Sequence, residues 1–367
     1  MHWLRIWILY CFIALFVIIL IYLQHPLFWK RPSWKRLERI KNSPHYKHYQ
    51  FKNLSKTPLV TYSKISPRWN SALNLIKKAQ EWVRPPKIPY IKTDIKKIDK
   101  SQNCIIWLWH SAYFIQLDGK TFLVDPTLIT WSPVPFANRA FPWTNEYKPA
   151  DLPFIDYLLI SHDHYDHLDY FTIKKLKNKI GKVICWLGVW SHFEYRGFSS
   201  KKIIELDWEE NFKEDNTIIT SLPARHFSWR LFWPNNTLRT SFMIECPSKT
   251  LYIAWDGGYD TFYKEIWKKR DIDIAIVENG QYSKNWKYIH TLPQQLPQTI
   301  KDLWAKKIIP AHNGKYALST HLWKEPLEII SKEAEKNKFN LLTPKIGEVI
   351  DLNNNEQTFE KWREKVE

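Results

Sequence analysis

The chain has 367 residues, 44 % hydrophobic and 25 % charged, a globular balance that excludes wholesale disorder and leaves room for one large domain or two ordinary ones. Nine glycines against 22 prolines exclude Gly-rich low complexity. The net charge of +17 is uneven: residues 1–103 hold 20 Lys/Arg against 4 Asp/Glu, and the rest of the chain holds 34 against 33.

That near-neutral body argues against nucleic acid as a partner, because polyanion binding draws on many basic contacts. A basic segment beside an anchor instead suits anionic lipid head groups. Residues 6–23, IWILYCFIALFVIILIYL, carry no charge. As a helix they span about 27 Å, close to a hydrocarbon core of about 30 Å. Trp3, Trp7, Tyr22 and Trp29 flank the run as interfacial aromatics do. A cleaved signal peptide fits less well: the run is long, and Gln24-His25-Pro26 offers no small-residue cleavage pattern. Lys30, Arg31, Lys35, Arg36, Arg39 and Lys41 follow it, so the positive-inside rule predicts a single-pass protein with the downstream body in the cytoplasm.

Residues 1–27 are therefore expected as a membrane anchor and 28–103 as a basic juxtamembrane segment that packs on the body. Pro85-Pro86 and Pro89 end a short helical pattern over 72–83. His45 and His48 are expected to face solvent or head groups. The body is expected over 104–345, with 346–367 as a C-terminal tail. Cys11, Cys104, Cys185 and Cys246 form no C-x-x-C pair and read as buried thiols. The 21 tryptophans hint at contact with lipid or large apolar ligands.

Within the body, short apolar runs at 105–109, 113–117, 121–125, 154–161, 182–189, 217–223, 241–246, 250–255, 273–279 and 306–311 predict strands. Asp118-Gly119 predicts a hairpin turn, and Pro247-Ser248-Lys249 joins a second hairpin. Helices are predicted over 172–180, 296–305 and 324–338. Strand-rich texture with interspersed helices points to two sheets covered by helices.

The strongest feature is Ser161-His162-Asp163-His164-Tyr165-Asp166-His167, directly after a predicted strand. Three histidines and two aspartates crowded into one loop cost stability unless a divalent metal uses them. Residues two apart in an extended loop point the same way, so His162 and His164 can share one ion. Asp166 and His167 can face a neighbouring one. His226, Asp256 and His312 each follow a predicted strand in the same way. Strand ends on one edge of a sheet converge, which predicts one dinuclear site. Gly257-Gly258 after Asp256 lets the backbone approach closely. His192 is as readily a surface residue as a cleft one, and His321 reads as a rim residue.

The H-x-H-x-D-H run followed by His, Asp and His at strand ends resembles the metallo-β-lactamase superfamily. Within it, WLWHSAYFIQLDGKTFLVDP, SHDHYDHLD, PARH, AWDGGY and PAHNGKY resemble the N-acyl-phosphatidylethanolamine-hydrolysing phospholipase D group, over roughly residues 103–335. The resemblance implies an αββα four-layer sandwich and a hydrolase with two zinc ions, manganese or iron also suiting these donors. It implies His162, His164 and His226 on one ion, Asp166, His167 and His312 on the other, and Asp256 bridging. It further implies cleavage of a membrane phospholipid phosphodiester by a metal-activated hydroxide, with Asp166, Asp256 and His290 as catalytic residues, and a possible homodimer. His110, Asp125 and Asp163 are expected behind the ligands, with Asp163 and His290 as candidates to manage the leaving-group proton. Three departures from the group stand near the site: Trp109 and Trp255 replace glycines, and Asn313 replaces a tryptophan. A lactone or other soluble ester is the alternative substrate.

Overall fold

The computed structural model describes residues 2–28, 30–61, 83–85, 87–129, 139–230 and 233–366. Helix α1, His2–Leu23, is long and apolar enough to cross a membrane, and it lies unburied against the rest of the chain. Helix α2, Trp34–Asn42, follows. Trp29, Pro86 and residues 72–82 of the expected short helix lie outside the described residues.

Strands β1 (Cys104–Trp107), β2 (Tyr113–Leu117), β3 (Lys120–Val124), β4 (Ile155–Leu159), β5 (Ile180–Trp186) and β6 (Ile203–Leu206) build a first sheet. Strands β7 (Asn211–Glu214), β8 (Thr217–Pro223), β9 (Thr240–Glu245), β10 (Thr250–Ile253), β11 (Ile274–Glu278) and β12 (Lys307–Ala311) build a second. Strand β13 (Val349–Asp351) returns to the first. The orders are β13-β1-β2-β3-β4-β5-β6 and β12-β11-β10-β9-β8-β7. In each sheet one antiparallel side passes into a parallel side, at β3–β4 and at β10–β11.

Alternation along the second sheet explains the layers. Phe242, Ile244, Leu251, Ile253, Ile274 and Ile276 face the core between the sheets. Their neighbours Met243, Tyr252, Ala275 and Val277 join an outer cluster. That cluster packs under three amphipathic helices, α5 (Phe262–Lys269), α6 (Leu296–Leu303) and α7 (Glu325–Asn337). Helices α3 (Tyr170–Leu176) and α4 (Trp190–Tyr195) lie on the first-sheet side. A strand apolar on both faces needs cover on both, and the result is the four-layer α/β sandwich. The turn between β2 and β3 places Asp118 at φ 49° and Gly119 at φ 76°, both in the left-handed region that the two-residue hairpin requires.

Residues 346–367, expected as a tail, are part of the body. β13 pairs antiparallel with β1, and the Trp362 ring is buried, its Nε1 donating to the Thr343 and Pro344 carbonyls. Ile40, Phe51, Ile88 and Ile95 of the juxtamembrane segment also enter the central core.

Candidate metal centre

Every candidate ligand follows the C-terminal end of a strand, and so does His110, which was expected behind them but lies among them. His110 comes after β1, His162 to His167 after β4, His226 after β8, Asp256 after β10 and His312 directly after β12. They gather into two groups, buried except for the half-buried His164 and Asp166. One is His162, His164, His226 and Asp256. The other is His110, Asp166, His167 and His312. Within each, the donor atoms lie within 4.8 Å of one another.

Asp256, a member of the first group, also reaches the second. Its Oδ2 is 3.1 Å from His312 Nε2 and 3.2 Å from His167 Nε2. It is also 3.8 Å from His226 Nε2 and 3.9 Å from His162 Nε2. In the first group His162 Nε2 is 2.8 Å and His226 Nε2 3.4 Å from His164 Nδ1. In the second, Asp166 Oδ2 is 3.1 Å from His110 Nε2, 3.5 Å from His167 Nε2 and 3.6 Å from His312 Nε2.

The electrostatics of the bare residues test whether cations fit. Burial drives His162 and His226 well below the usual imidazole range and His164 to about 4. Burial, with the neighbouring His312, lowers His110 to about 3. Burial opposes charge on His312 too, yet the Asp256, Asp166 and Glu278 carboxylates raise it to about 9. His167 is likewise raised against its burial by Asp256 and Asp166. Burial favours neutral carboxyls, but the histidines hold Asp166 and Asp256 well below the carboxylate range. Two neighbouring carboxylates thus demand positive charge, which protons on His167 and His312 supply. A divalent cation supplies it directly and releases those protons. Nε2 of His164, His167 and His312 and Oδ1 of Asp256 are buried with no hydrogen-bond partner, a cost that coordination removes. The donor set fits two cations.

Around the two groups, further residues fix ring orientation. Asp125 Oδ2 sits 2.7 Å from His167 Nδ1, and Asp125 Oδ1 accepts the Ser161 amide at 2.8 Å. His226 Nδ1 is 2.7 Å from the Ile289 carbonyl oxygen. Glu278 Oε1 accepts from His290 Nδ1, and it lies 3.2 Å from His312 Nδ1. Glu278 Oε2 accepts the amides of Gly257 and Thr291. Sequence reasoning missed Glu278. Its signal was a lone carboxylate ending an apolar strand, at the same strand end that delivers the histidines.

A model of the beta-lactamase superfamily domain matches residues 120–313. The chain belongs to the metallo-β-lactamase superfamily of hydrolases. An uncharacterized Mycobacterium tuberculosis protein is 28 % identical over 345 residues, covering 88 % of each chain. N-acyl-phosphatidylethanolamine-hydrolyzing phospholipase D 1 of Caenorhabditis elegans is 29 % identical over 272 residues, covering 66 % of this chain and 74 % of that one. A solved metallo hydrolase of Ignicoccus hospitalis superposes with a TM-score of 0.54 at 19 % identity, covering 68 % of this chain and 97 % of its own.

In this metallo-β-lactamase-fold chain, other expected residues land as follows. The ring of His290 stacks on His312, centroids 5.4 Å apart, and lies 5.2 Å from His226. Asp163 is buried beside His192, its Oδ2 3.8 Å from His192 Nε2, and it joins neither group. His192 is buried, not at the surface. His321 Nε2 accepts the Gln281 amide at 2.8 Å. His45 packs on Trp208, centroids 4.4 Å apart, and His48 is exposed. Of the glycine pair, Gly258 is the one with no space: a Cβ there would lie 2.1 Å from the Tyr288 carbonyl oxygen. Trp109 adopts φ 88°, so a bulky residue holds the left-handed conformation that glycine adopts freely.

Proposed function

We propose that the chain is a membrane-anchored dinuclear metal hydrolase that cleaves a phosphodiester bond of a phospholipid, of the N-acyl-phosphatidylethanolamine type. The observation that carries the reading is Asp256 Oδ2 within 4 Å of imidazole nitrogens from both histidine groups. Similarity to the C. elegans phospholipase supports the substrate class, and the apolar helix α1 supports access to it. His162, His164 and His226 would hold one cation and Asp166, His167 and His312 the other, with Asp256 between them. Zinc suits this nitrogen and oxygen set, as do manganese and iron. Bound there, two cations supply an acidified water and neutralise charge on the phosphate.

The chain's own residues do the rest. Asp125, Glu278 and the Ile289 carbonyl fix the rings of His167, His312 and His226, as outer carboxylates and carbonyls orient metal-bound histidines. His290 donates Nδ1–H to Glu278, so Nε2 is the atom left to exchange a proton with substrate. Protonated there, it gives that proton to the departing alcohol oxygen, and the carboxylate of Glu278 stabilises the imidazolium. Asp163 faces His192 instead and is a structural residue of the loop.

The test is a product assay on the full chain in lipid, loaded with zinc. N-acyl-phosphatidylethanolamine is offered beside a panel of lactones, with His164→Ala as control. Release of phosphatidic acid that disappears in the control is expected. Lactone opening with intact phospholipid would refute the phospholipase reading.

A further inference from the structure

The chain just past α1 is joined to the metal loop through Arg230. Arg230 is fully buried. Its Nε and Nη2 donate to the Leu27 carbonyl at 3.2 and 3.0 Å. Its Nη1 donates to the Asp163 carbonyl at 2.5 Å, and Nη2 reaches the Leu168 carbonyl at 3.1 Å. One guanidinium therefore joins the residue four positions past α1 to the loop that carries His162 and His164. Its guanidinium carbon, Cζ, also lies 4.1 Å from the Tyr165 ring centroid.

Apolar packing reinforces the joint. Leu27, Phe28 and Tyr170 form a buried cluster, with Leu23, Tyr165 and Phe171 against it. The His25 ring meets Tyr170, centroids 4.9 Å apart. Tyr195 Oη donates to the Gln24 carbonyl, and the Arg36–Glu194 ion pair at 2.7 Å ties α2 to α4. The span of Leu23 to Leu27 is at most about 14 Å of chain. The head-group layer beyond the hydrocarbon is about 5–7 Å deep. So the loop cannot hang far from the bilayer on a free tether.

From the same joint an aromatic path runs to the metal centre. Arg230 sits in a short hairpin beside Trp229, and Trp229 is 54 % exposed. Its ring is 6.5 Å from Phe227. Phe227 in turn lies 4.6 Å from His164 and 4.9 Å from His226. Lys30 and Lys174 flank the joint, over the rings of Tyr195 and Tyr170.

We infer that this joint seats the mouth of the metal centre on the bilayer that α1 spans. Trp229 enters the head-group layer, and Phe227 continues the apolar lip to the histidines. Lysines beside the joint meet anionic head groups, and an exposed tryptophan at a wet–apolar boundary is suited to the interface. Arg230 is the positioning residue, because it transmits the depth of α1 to the metal loop. The inference rests on the reading of α1 as a membrane anchor and deepens the phospholipid reading, since a lipid could then reach the site without leaving the membrane.

The experiment reads depth, not turnover, so its failure is distinct from failure of the product assay. The full chain is reconstituted in phosphatidylcholine vesicles containing phosphatidylglycerol, in a Cys11→Ser background. A polarity-sensitive fluorophore is placed through Trp229→Cys, and in a separate protein through Asp271→Cys. Asp271 precedes β11, at the opposite end of the strands from the site. Insertion by about 5–10 Å predicts that head-group-borne quenchers remove roughly half or more of the emission at 229 and little at 271. Equal, weak quenching at both positions overturns the inference. Tyr195→Phe, which deletes only the contact to Gln24, is expected to keep most of the quenching. Arg230→Gln, in protein that still shows native circular dichroism, is expected to lose it. Quenching unchanged in folded Arg230→Gln would remove Arg230 from its positioning role.

Discussion

Glu278→Gln is the sharpest probe of how the centre is held. The carboxylate is buried and takes four donors: Nδ1 of His290, Nδ1 of His312 at 3.2 Å, and the amides of Gly257 and Thr291 at 3.0 and 3.1 Å. Glutamine keeps the shape but turns one oxygen into an NH2 group. Whichever way the amide lies, a donor then faces donors, at two imidazoles or at two backbone amides. Losing a hydrogen bond to a charged group costs about 1.5–3 kcal/mol. At about 1.4 kcal/mol per factor of ten, the expected loss in kcat/KM is roughly 10- to 100-fold, the range found for residues that orient metal ligands. The measurement is kcat/KM across pH, with bound metal determined by elemental analysis on the same samples. Loss of the carboxylate predicts a fall in kcat/KM across the whole profile. Glu278→Asp should restore part of the rate if charge is what matters. Full activity and unchanged metal content in Glu278→Gln would refute the positioning role.

Asp256→Asn should lower bound metal from two equivalents and reduce activity by roughly a thousandfold, since the metal pair contributes several kcal/mol, while far-ultraviolet circular dichroism stays native; retained activity would make Asp256 a bystander. Gly258→Ala should destabilise by about 1–3 kcal/mol because its Cβ would meet the Tyr288 carbonyl at 2.1 Å, whereas Gly257→Ala, with 3.5 Å to its nearest neighbour, should be close to neutral; thermal midpoints compare the two. Burial raises Glu205 to about 7 from a normal 4.5. The folded state therefore holds a proton that the unfolded chain releases, and stability falls as pH rises from 4.5 to 7. Glu205→Gln keeps an acceptor for the Gly188 and Trp190 amides and should gain a few kcal/mol over the parent between pH 5 and 8; a gain that is flat with pH would be contrary to this.

Most of the centre was legible because its residues obey one rule of placement. A titratable side chain directly after an apolar strand has no reason to be there unless the strand end meets others like it. His162, His226, Asp256 and His312 all follow that rule, and the structure brings the three histidines within 4 Å of Asp256 Oδ2. Glu278 follows it too, but as the last residue inside its strand, where it read as part of the run. Other elements gave weaker signals. β6, β7 and β13 are four, four and three residues long, too short for alternation to register. β13 also pairs with β1 across more than two hundred residues, a contact that no local pattern encodes. Asp163 stood amid the ligands in sequence, yet alternation turns its side chain away from theirs and toward His192.

The tryptophans divide between the interior of the body and its surface. Trp107, Trp109, Trp186, Trp208, Trp255, Trp323 and Trp362 are buried in the body, whereas Trp3 and Trp7 on α1 and Trp229 are exposed. Trp107 donates Nε1 to the His110 carbonyl, and Trp255 packs near Tyr113, centroids 6.0 Å apart. Trp109 makes the trade visible. A left-handed backbone costs a bulky residue of order 1–3 kcal/mol, whereas truncating a buried tryptophan costs about 3–5 kcal/mol. Packing therefore wins, and Trp109→Gly should destabilise the fold even though it relieves the backbone. His110, the next residue, also has positive φ, at 54°, and bridges to Asn313 beside His312. The strained pair thus clasps the first sheet to the second at the metal centre. The departures at Trp109 and Asn313 lie on that clasp, so their effect on the site runs through the spacing of its two histidine groups.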